Sequence, residues 1–196
     1  MLSMHRLVQA VLQDTLEKEK KTDRWVEYAV LVIAAAFPGV EYGTWSECEC
    51  LLPHALQVAG AIKKCRISSF QAGYLLHETA SYLHARGRYD EGAAELYQRA
   101  LDIWGEQLGD KHLQDTRLLV DNALNNLANL LQEQGYDEKA ESLYRQALDI
   151  NERQRWGQLL NRAMLLNNLA VVYFEQEKAE KVEVLNTSSW PMCFTI

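Results

Sequence analysis

The sequence predicts an all-α chain, folded as an array of antiparallel helix pairs. Three observations predict it. The five residues LNNLA begin at 124 and again at 166, 42 residues apart, and self-similarity at a period of some tens of residues marks a repeat array. Only three prolines occur, at 38, 53 and 191. Between them Leu, Ala, Glu and Gln dominate, all good helix formers, and nothing reads as a strand ladder.

The elements follow in order. Residues 4–20 place Leu7, Val8, Val11, Leu12 and Leu16 at helical spacing. Thr22-Asp23 is suited to capping a second helix that runs to about Ala36. Phe37-Pro38-Gly39 then breaks the chain. A third helix is expected from Thr44 to about Lys63, with Pro53 kinking or dividing it. A fourth runs from about Ser68 to Arg86, and Gly87 stops it in the left-handed conformation.

From here one template recurs. Leu124, Leu127, Ala128 and Leu131 fall at i, i+3, i+4 and i+7, one apolar stripe. Gly135 ends that helix and Asp137 is placed to cap the next. Ala140, Leu143, Tyr144, Ala147, Leu148 and Ile150 form a second stripe. Neither helix can bury its stripe alone. Antiparallel pairs cover each other and the next pair covers the remainder. Upstream, Leu76, Ala80 and Leu83 precede Gly87, and Ala93, Tyr97, Ala100, Leu101 and Ile103 follow it. Downstream, Leu166, Leu169, Ala170 and Tyr173 open a further copy. There Glu177 stands in the glycine's place, and residues 178–185 hold little of the pattern. The expected organisation is a linker helix over 1–22, a degenerate helical pair over 23–66, repeats over 67–107, 112–154 and 158–185, and an unmatched tail over 186–196.

These motifs resemble tetratricopeptide repeats of the kinesin-light-chain-like kind. LNNLA, Gln134-Gly135 and Leu143-Tyr144-Arg145-Gln146-Ala147-Leu148-Asp149-Ile150 carry the resemblance, and Leu108-Gly109-Asp110-Lys111-His112 is similar to that family's linker without its proline. The resemblance implies a right-handed superhelical array with a concave surface lined by the first helix of each pair. Ser3–Val11 resembles the end of a winged-helix element, and its order with the alanine-rich 30–38, Trp45-x-x-Cys48 and Leu51–Leu56 is similar to that in bacterial NB-ARC-type signalling ATPases with C-terminal tetratricopeptide arrays. That second resemblance implies a sensor or autoinhibitory arm. No G-x-x-x-x-G-K-[ST] loop occurs in these residues.

Composition narrows the function. The chain has 196 residues, is 48% apolar and carries a net charge of −7. Nucleic-acid binding needs a positive field to displace counterions from phosphates, so no nucleic-acid partner is expected. The longest apolar run, Tyr28–Phe37, is shorter than the ~20 residues of a membrane span, so no membrane partner is expected. The cysteines at 48, 50, 65 and 193 have no framework spacing, which predicts reduced thiols. A cytoplasmic location follows. Cys48 and Cys50 stand two apart, on different faces of a helix, and the histidine pair His77 and His84 lacks a third ligand. No metal site and no cofactor are expected. No nucleophile, base and acid can be grouped, so the chain is expected not to be an enzyme.

The candidate site is a partner-binding groove. Helical register places Asn122, Asn125, Asn129 and Gln132 on one face, with His77, Ser81 and His84 upstream and Asn167 and Asn168 downstream. Amides both donate and accept, so they suit an extended peptide backbone. Alternatively the asparagines bond to neighbouring helices, with Asn126 and Asn168 divided evenly between the two roles. Replacing Asn125 and Asn129 with Ala is expected to weaken partner binding and leave the melting temperature nearly unchanged. Tyr97, Tyr144, Trp45 and Trp104 are expected in the core. The weak last helix predicts self-association through an uncapped C-terminal end.

Overall fold

The computed structural model describes residues 22–89, 92–107, 114–152 and 159–176. The winged-helix-like start, the 108–112 linker, the last degenerate helix and the tail with Trp190 lie outside them. Seven α-helices occur among the described residues: α1 (Thr22–Ala36), α2 (Trp45–Cys65), α3 (Phe70–Ala85), α4 (Ala93–Gln107), α5 (Gln114–Glu133), α6 (Asp137–Glu152) and α7 (Leu159–Glu175). One 3-10 turn, Tyr42–Thr44, precedes α2. No strand occurs among the described residues.

Each helix packs on the next. In addition α1 touches α3, α3 touches α5, and α5 touches α7. That pattern makes α1, α3, α5 and α7 the first helices of successive pairs and α2, α4 and α6 the second. The core runs continuously between them. Leu76, Ala80 and Leu83 of α3 are buried, as are Leu124, Leu127 and Ala128 of α5 and Leu169 of α7. Full burial of one such leucine side chain contributes about 1.5–3 kcal/mol. Ala93, Ala100, Ala140 and Ala147 are fully buried on the second helices. Their small side chains allow close backbone approach, and Tyr97 and Tyr144 fill the space between.

The helix ends repeat too. Gly87 (φ +65°) and Gly135 (φ +78°) take the left-handed conformation. After α3 the Arg88 N–H donates to the Leu83 carbonyl at 2.9 Å, and after α5 the Tyr136 N–H donates to the Leu131 carbonyl at 2.8 Å. These are the same six-to-one closure. At the start of α3 the Ser69 hydroxyl accepts from the Ala72 N–H at 3.3 Å, a cap worth about 1 kcal/mol.

Three expectations need correction. Pro53 does not divide α2, which runs unbroken through it. Pro53 and Glu49 both lie on the exposed side of the helix. Asp137 is the first residue of α6 rather than its cap, and its carboxylate there favours the positive end of the helix dipole. Trp104 is fully buried, but Trp45 is only half-buried. The Arg86 guanidinium lies 4.8 Å from the Trp45 ring centroid.

A groove between the first helices

α3 and α5 run side by side as first helices, and a groove of about 880 Å³ opens along them. Its floor holds Ser81 and Tyr97. Its walls are Glu78, His84 and Ala85 of α3, Asn126 and Glu133 of α5, and the segment Gly39-Val40-Glu41. Tyr89, beyond the Gly87 turn, closes one end. The Gly39–Glu41 wall is pinned from below. The Thr44 hydroxyl donates to the Gly39 carbonyl at 2.6 Å and accepts from the Glu41 N–H at 3.1 Å.

The side chains inside are ordered by one another. The Tyr97 hydroxyl donates to Ser81 Oγ at 3.0 Å. Burial pushes the Tyr97 phenol up, and the carboxylates of Glu78 and Glu133 add to the rise. The Tyr89 hydroxyl donates to Glu133 Oε2 at 2.7 Å, which raises the Tyr89 phenol. His84 Nε2 lies 3.1 Å from the same oxygen.

Each predicted site residue has a definite place. Ser81 and His84 line this groove. His77 does not sit on its surface. It is only 6% exposed, and its ring packs 5.6 Å from that of Tyr97 and 5.7 Å from that of Trp104. The expectation that His77 joins His84 on the groove surface therefore fails, because Tyr97 and Trp104 of α4 and Asn126 of α5 close over it. Its Nδ1 lies 3.2 Å from Glu78 Oε1, and its Nε2 lies 3.5 Å from Asn126 Nδ2.

The predicted amides fall further along, between α5 and α7, and most of them bond to neighbouring helices. Asn168 Nδ2 donates to Asn125 Oδ1 and to Asn129 Oδ1, both at 3.1 Å. The Tyr144 hydroxyl donates to Asn129 Oδ1 at 2.5 Å and to Gln132 Oε1 at 3.1 Å. Gln132 Nε2 donates to Glu175 Oε2 at 3.0 Å. Asn122 and Asn167 are exposed. A small cavity of about 30 Å³ remains beside Asn122, Asn125 and Asp121. The expectation that Asn129 could become Ala without loss of stability is corrected by these bonds, since truncation removes the acceptor of two tertiary donors.

Sequence reasoning missed Glu41, Tyr89 and Glu133 as groove residues, and Glu78 with them. Glu78 could have been found. It holds the position in α3 that Asn126 holds in α5 and Asn168 in α7, the second asparagine of LNNLA. Among the described residues no group of three or more His, Cys, Asp or Glu could hold a metal ion. Cys48 is buried and Cys50 exposed, and burial pushes the Cys48 thiol up. No described helix is long and apolar enough to cross a membrane.

Stacked antiparallel pairs with a groove along their first helices define a helical repeat array. Residues 119–186 match the tetratricopeptide repeat family model. Over more than nine-tenths of its length the chain is similar in fold to solved arrays. BtubC (BKLC) from P. vanneervenii aligns with a TM-score of 0.57 at 21% identity, over 94% of this chain and 68% of that one. The nearly identical TPR-like repeats of a Podosopora anserina kinesin-light-chain protein align with a TM-score of 0.55 at 18% identity, over 93% of this chain and 92% of that one. At these identities the likeness establishes the fold alone. No curated protein matches the chain.

Proposed function

We propose that this chain is a non-catalytic interaction scaffold that holds an extended peptide or protein segment in the groove between α3 and α5. Superhelical arrays offer concave surfaces of this kind, and tetratricopeptide folds generally mediate protein–protein interaction. One observation carries the reading. Although the His84–Glu133 and His77–Asn126 contacts cross from α3 to α5, an open groove of about 880 Å³ remains there, whereas beside Asn122 and Asn125, where Asn168 and Gln132 bridge α5 to α7, the cavity is about 30 Å³. The ligand site is thus the first inter-repeat space rather than the second. Ser81, His84 and Asn126 are its polar contacts, with Asn122 and Asn167 exposed further along the same face. A cytoplasmic setting with reduced thiols, without nucleic-acid or membrane partners, belongs to this proposal, as does self-association through the C-terminal end. The second reading is a sensor or autoinhibitory arm of an NB-ARC-type ATPase. It draws on the order of features over residues 1–60 and ranks below the first.

A peptide-display selection against the full chain tests the scaffold reading. Ala85 is exposed at the groove wall, so Ala85→Trp fills the groove without removing a bond. Enriched peptides should lose at least about tenfold in affinity on that variant, since a filled site forfeits contacts worth more than 1.4 kcal/mol. Glu138→Trp on α6, away from the groove, should leave them bound. Undiminished binding to a well-folded Ala85→Trp variant would overturn the reading.

A further inference from the structure

We propose that the groove between α3 and α5 selects a segment bearing a lysine or arginine side chain, seated between Glu78 and Glu133. The inference rests on the groove reading above and adds the chemistry of the guest. Three carboxylates, Glu41, Glu78 and Glu133, reach the groove from three separate elements, and no lysine or arginine lines it among the described residues.

Four carboxylates elsewhere meet a lysine or arginine of the chain itself. Glu49 pairs with Arg88 at 3.0 Å and Glu95 with Lys63 at 2.7 Å. Glu141 pairs with Arg145 at 2.8 Å and Glu152 with Arg162 at 3.3 Å. In the groove the partners are different. Glu133 meets His84 and the Tyr89 hydroxyl, and Glu78 meets His77. The two arginines nearest in sequence, Arg86 and Arg88, are engaged with Trp45 and Glu49 on α2. The groove therefore keeps a negative field that no lysine or arginine among its lining residues quenches. Burial is the main cause that raises the Tyr97 phenol, and Glu78 and Glu133 add to the rise.

The rings fit the same guest. His84 and Tyr89 are partly exposed there with their rings 6.1 Å apart, beside the fully buried Tyr97. A cation over an aromatic face gains from the ring quadrupole while its head bonds to carboxylate. An acidic guest would meet Glu78 and Glu133 as like charges, which suppresses wrong partners.

The test uses the full chain and two labelled peptides of equal length, one alternating lysine with serine and one alternating glutamate with serine. Fluorescence anisotropy gives affinities for the parent chain, Glu78→Gln, Glu133→Gln, the double variant and Glu138→Gln on α6. The glutamine variants keep an acceptor for His84 and Tyr89, and thermal melts check their folding. The lysine peptide should bind more tightly than the glutamate peptide. It should lose about 3- to 10-fold with each groove substitution, more at Glu78, whose side chain is 13% exposed, than at Glu133, which is 49% exposed, since exposure to water screens the charge, and less than about twofold with Glu138→Gln. Its affinity should fall as salt rises. Preference for the glutamate peptide, a loss with Glu138→Gln equal to that with Glu133→Gln, or an unchanged affinity in the double variant would overturn the inference. Ala85→Trp separates the two readings. If it abolishes binding that the double variant leaves intact, the groove stands and its charge preference falls. If it changes nothing, both fall.

Discussion

Asn168 on α7 donates one amide to two acceptors on α5, Asn125 Oδ1 and Asn129 Oδ1, each at 3.1 Å. One repeat earlier, Asn126 approaches His77 Nε2 at 3.5 Å in the same way. The second asparagine of LNNLA thus reaches back to the preceding pair, and the first is what the following pair reaches for. Asn168→Ala should cost about 1 kcal/mol, the net worth of a typical partly buried hydrogen bond. It should also speed amide exchange in α7 relative to α3. Asn167→Ala, at an exposed position, should leave the denaturation midpoint nearly where it was. Equal effects of the two substitutions would remove the clasp from the account.

Gly73 is placed by a ring rather than by a turn. A Cβ at that position would stand 2.5 Å from Trp104 Nε1 and 2.8 Å from its Cε2. Trp104 is fully buried, and its indole N–H donates to the Phe70 carbonyl at 3.3 Å, so it has little room to yield. Gly73→Ala gains helix propensity of about 1 kcal/mol but overpacks the α3–α4 contact, which typically costs 1–3 kcal/mol. The expected outcome is a net loss in urea denaturation. A double variant with Trp104→Phe should recover part of it. A Gly73→Ala chain more stable than the parent would show that the ring moves freely.

The same place in the next pair is solved with different chemistry. Asp121 stands in α5 where Gly73 stands in α3, and Asn151 stands in α6 where Trp104 stands in α4. Asn151 Nδ2 donates to Asp121 Oδ2 at 3.3 Å. Asp121 is only 2% exposed, and its Oδ1 is buried without a hydrogen-bond partner. Burial raises its carboxyl above the ordinary 3.8, against the opposing bonds from Asn151 and Asn161. The folded chain therefore holds this proton more tightly than the unfolded chain. Its contribution to stability is greatest at low pH and falls as pH rises from the ordinary value through the raised one. Glu49 and Glu95, whose carboxyls are lowered by the Tyr82 and Lys63 bonds, work in the opposite direction. The effect is therefore read as a difference between chains. Asp121→Asn should melt higher than the parent at neutral pH, with the gap closing on acidification. A gap that is constant with pH would mean that Asp121 is not the group responsible.

This contrast shows what was legible in the sequence. The Leu and Ala stripes and the glycine stops were readable because they depend on the 3.6-residue period and on backbone conformation, both local. Tyr97 and Tyr144 were readable as core for the same reason. The pairing of Asp121 with Asn151 was not, since it depends on which faces of two helices meet. The amide face was visible as a face. Whether it opens to a ligand or closes on a neighbour depends on the helix beside it, and α3 and α7 supply different side chains to α5. His77 was misread for the same cause, because α4 and α5 cover it.

Arg66 supplies the last expectation. It closes α2 in the left-handed conformation at φ +53°, the place that Gly87 and Gly135 take after α3 and α5. The closure is the same six-to-one bond, with the Ile67 N–H donating to the Ile62 carbonyl at 3.1 Å. A side chain with a Cβ is strained there, because Cβ crowds the following carbonyl, at a cost of roughly 1–2 kcal/mol. The Arg66 side chain is exposed, so its removal sacrifices little packing. Arg66→Gly should therefore stabilise the chain by about 0.5–1 kcal/mol, part of the relief being returned as the greater freedom of glycine in the unfolded chain. Arg66→Ala keeps the Cβ and should give no such gain. Paired urea titrations of the two variants decide the matter. Equal midpoints would show that what matters at this position is the arginine side chain and not the backbone strain.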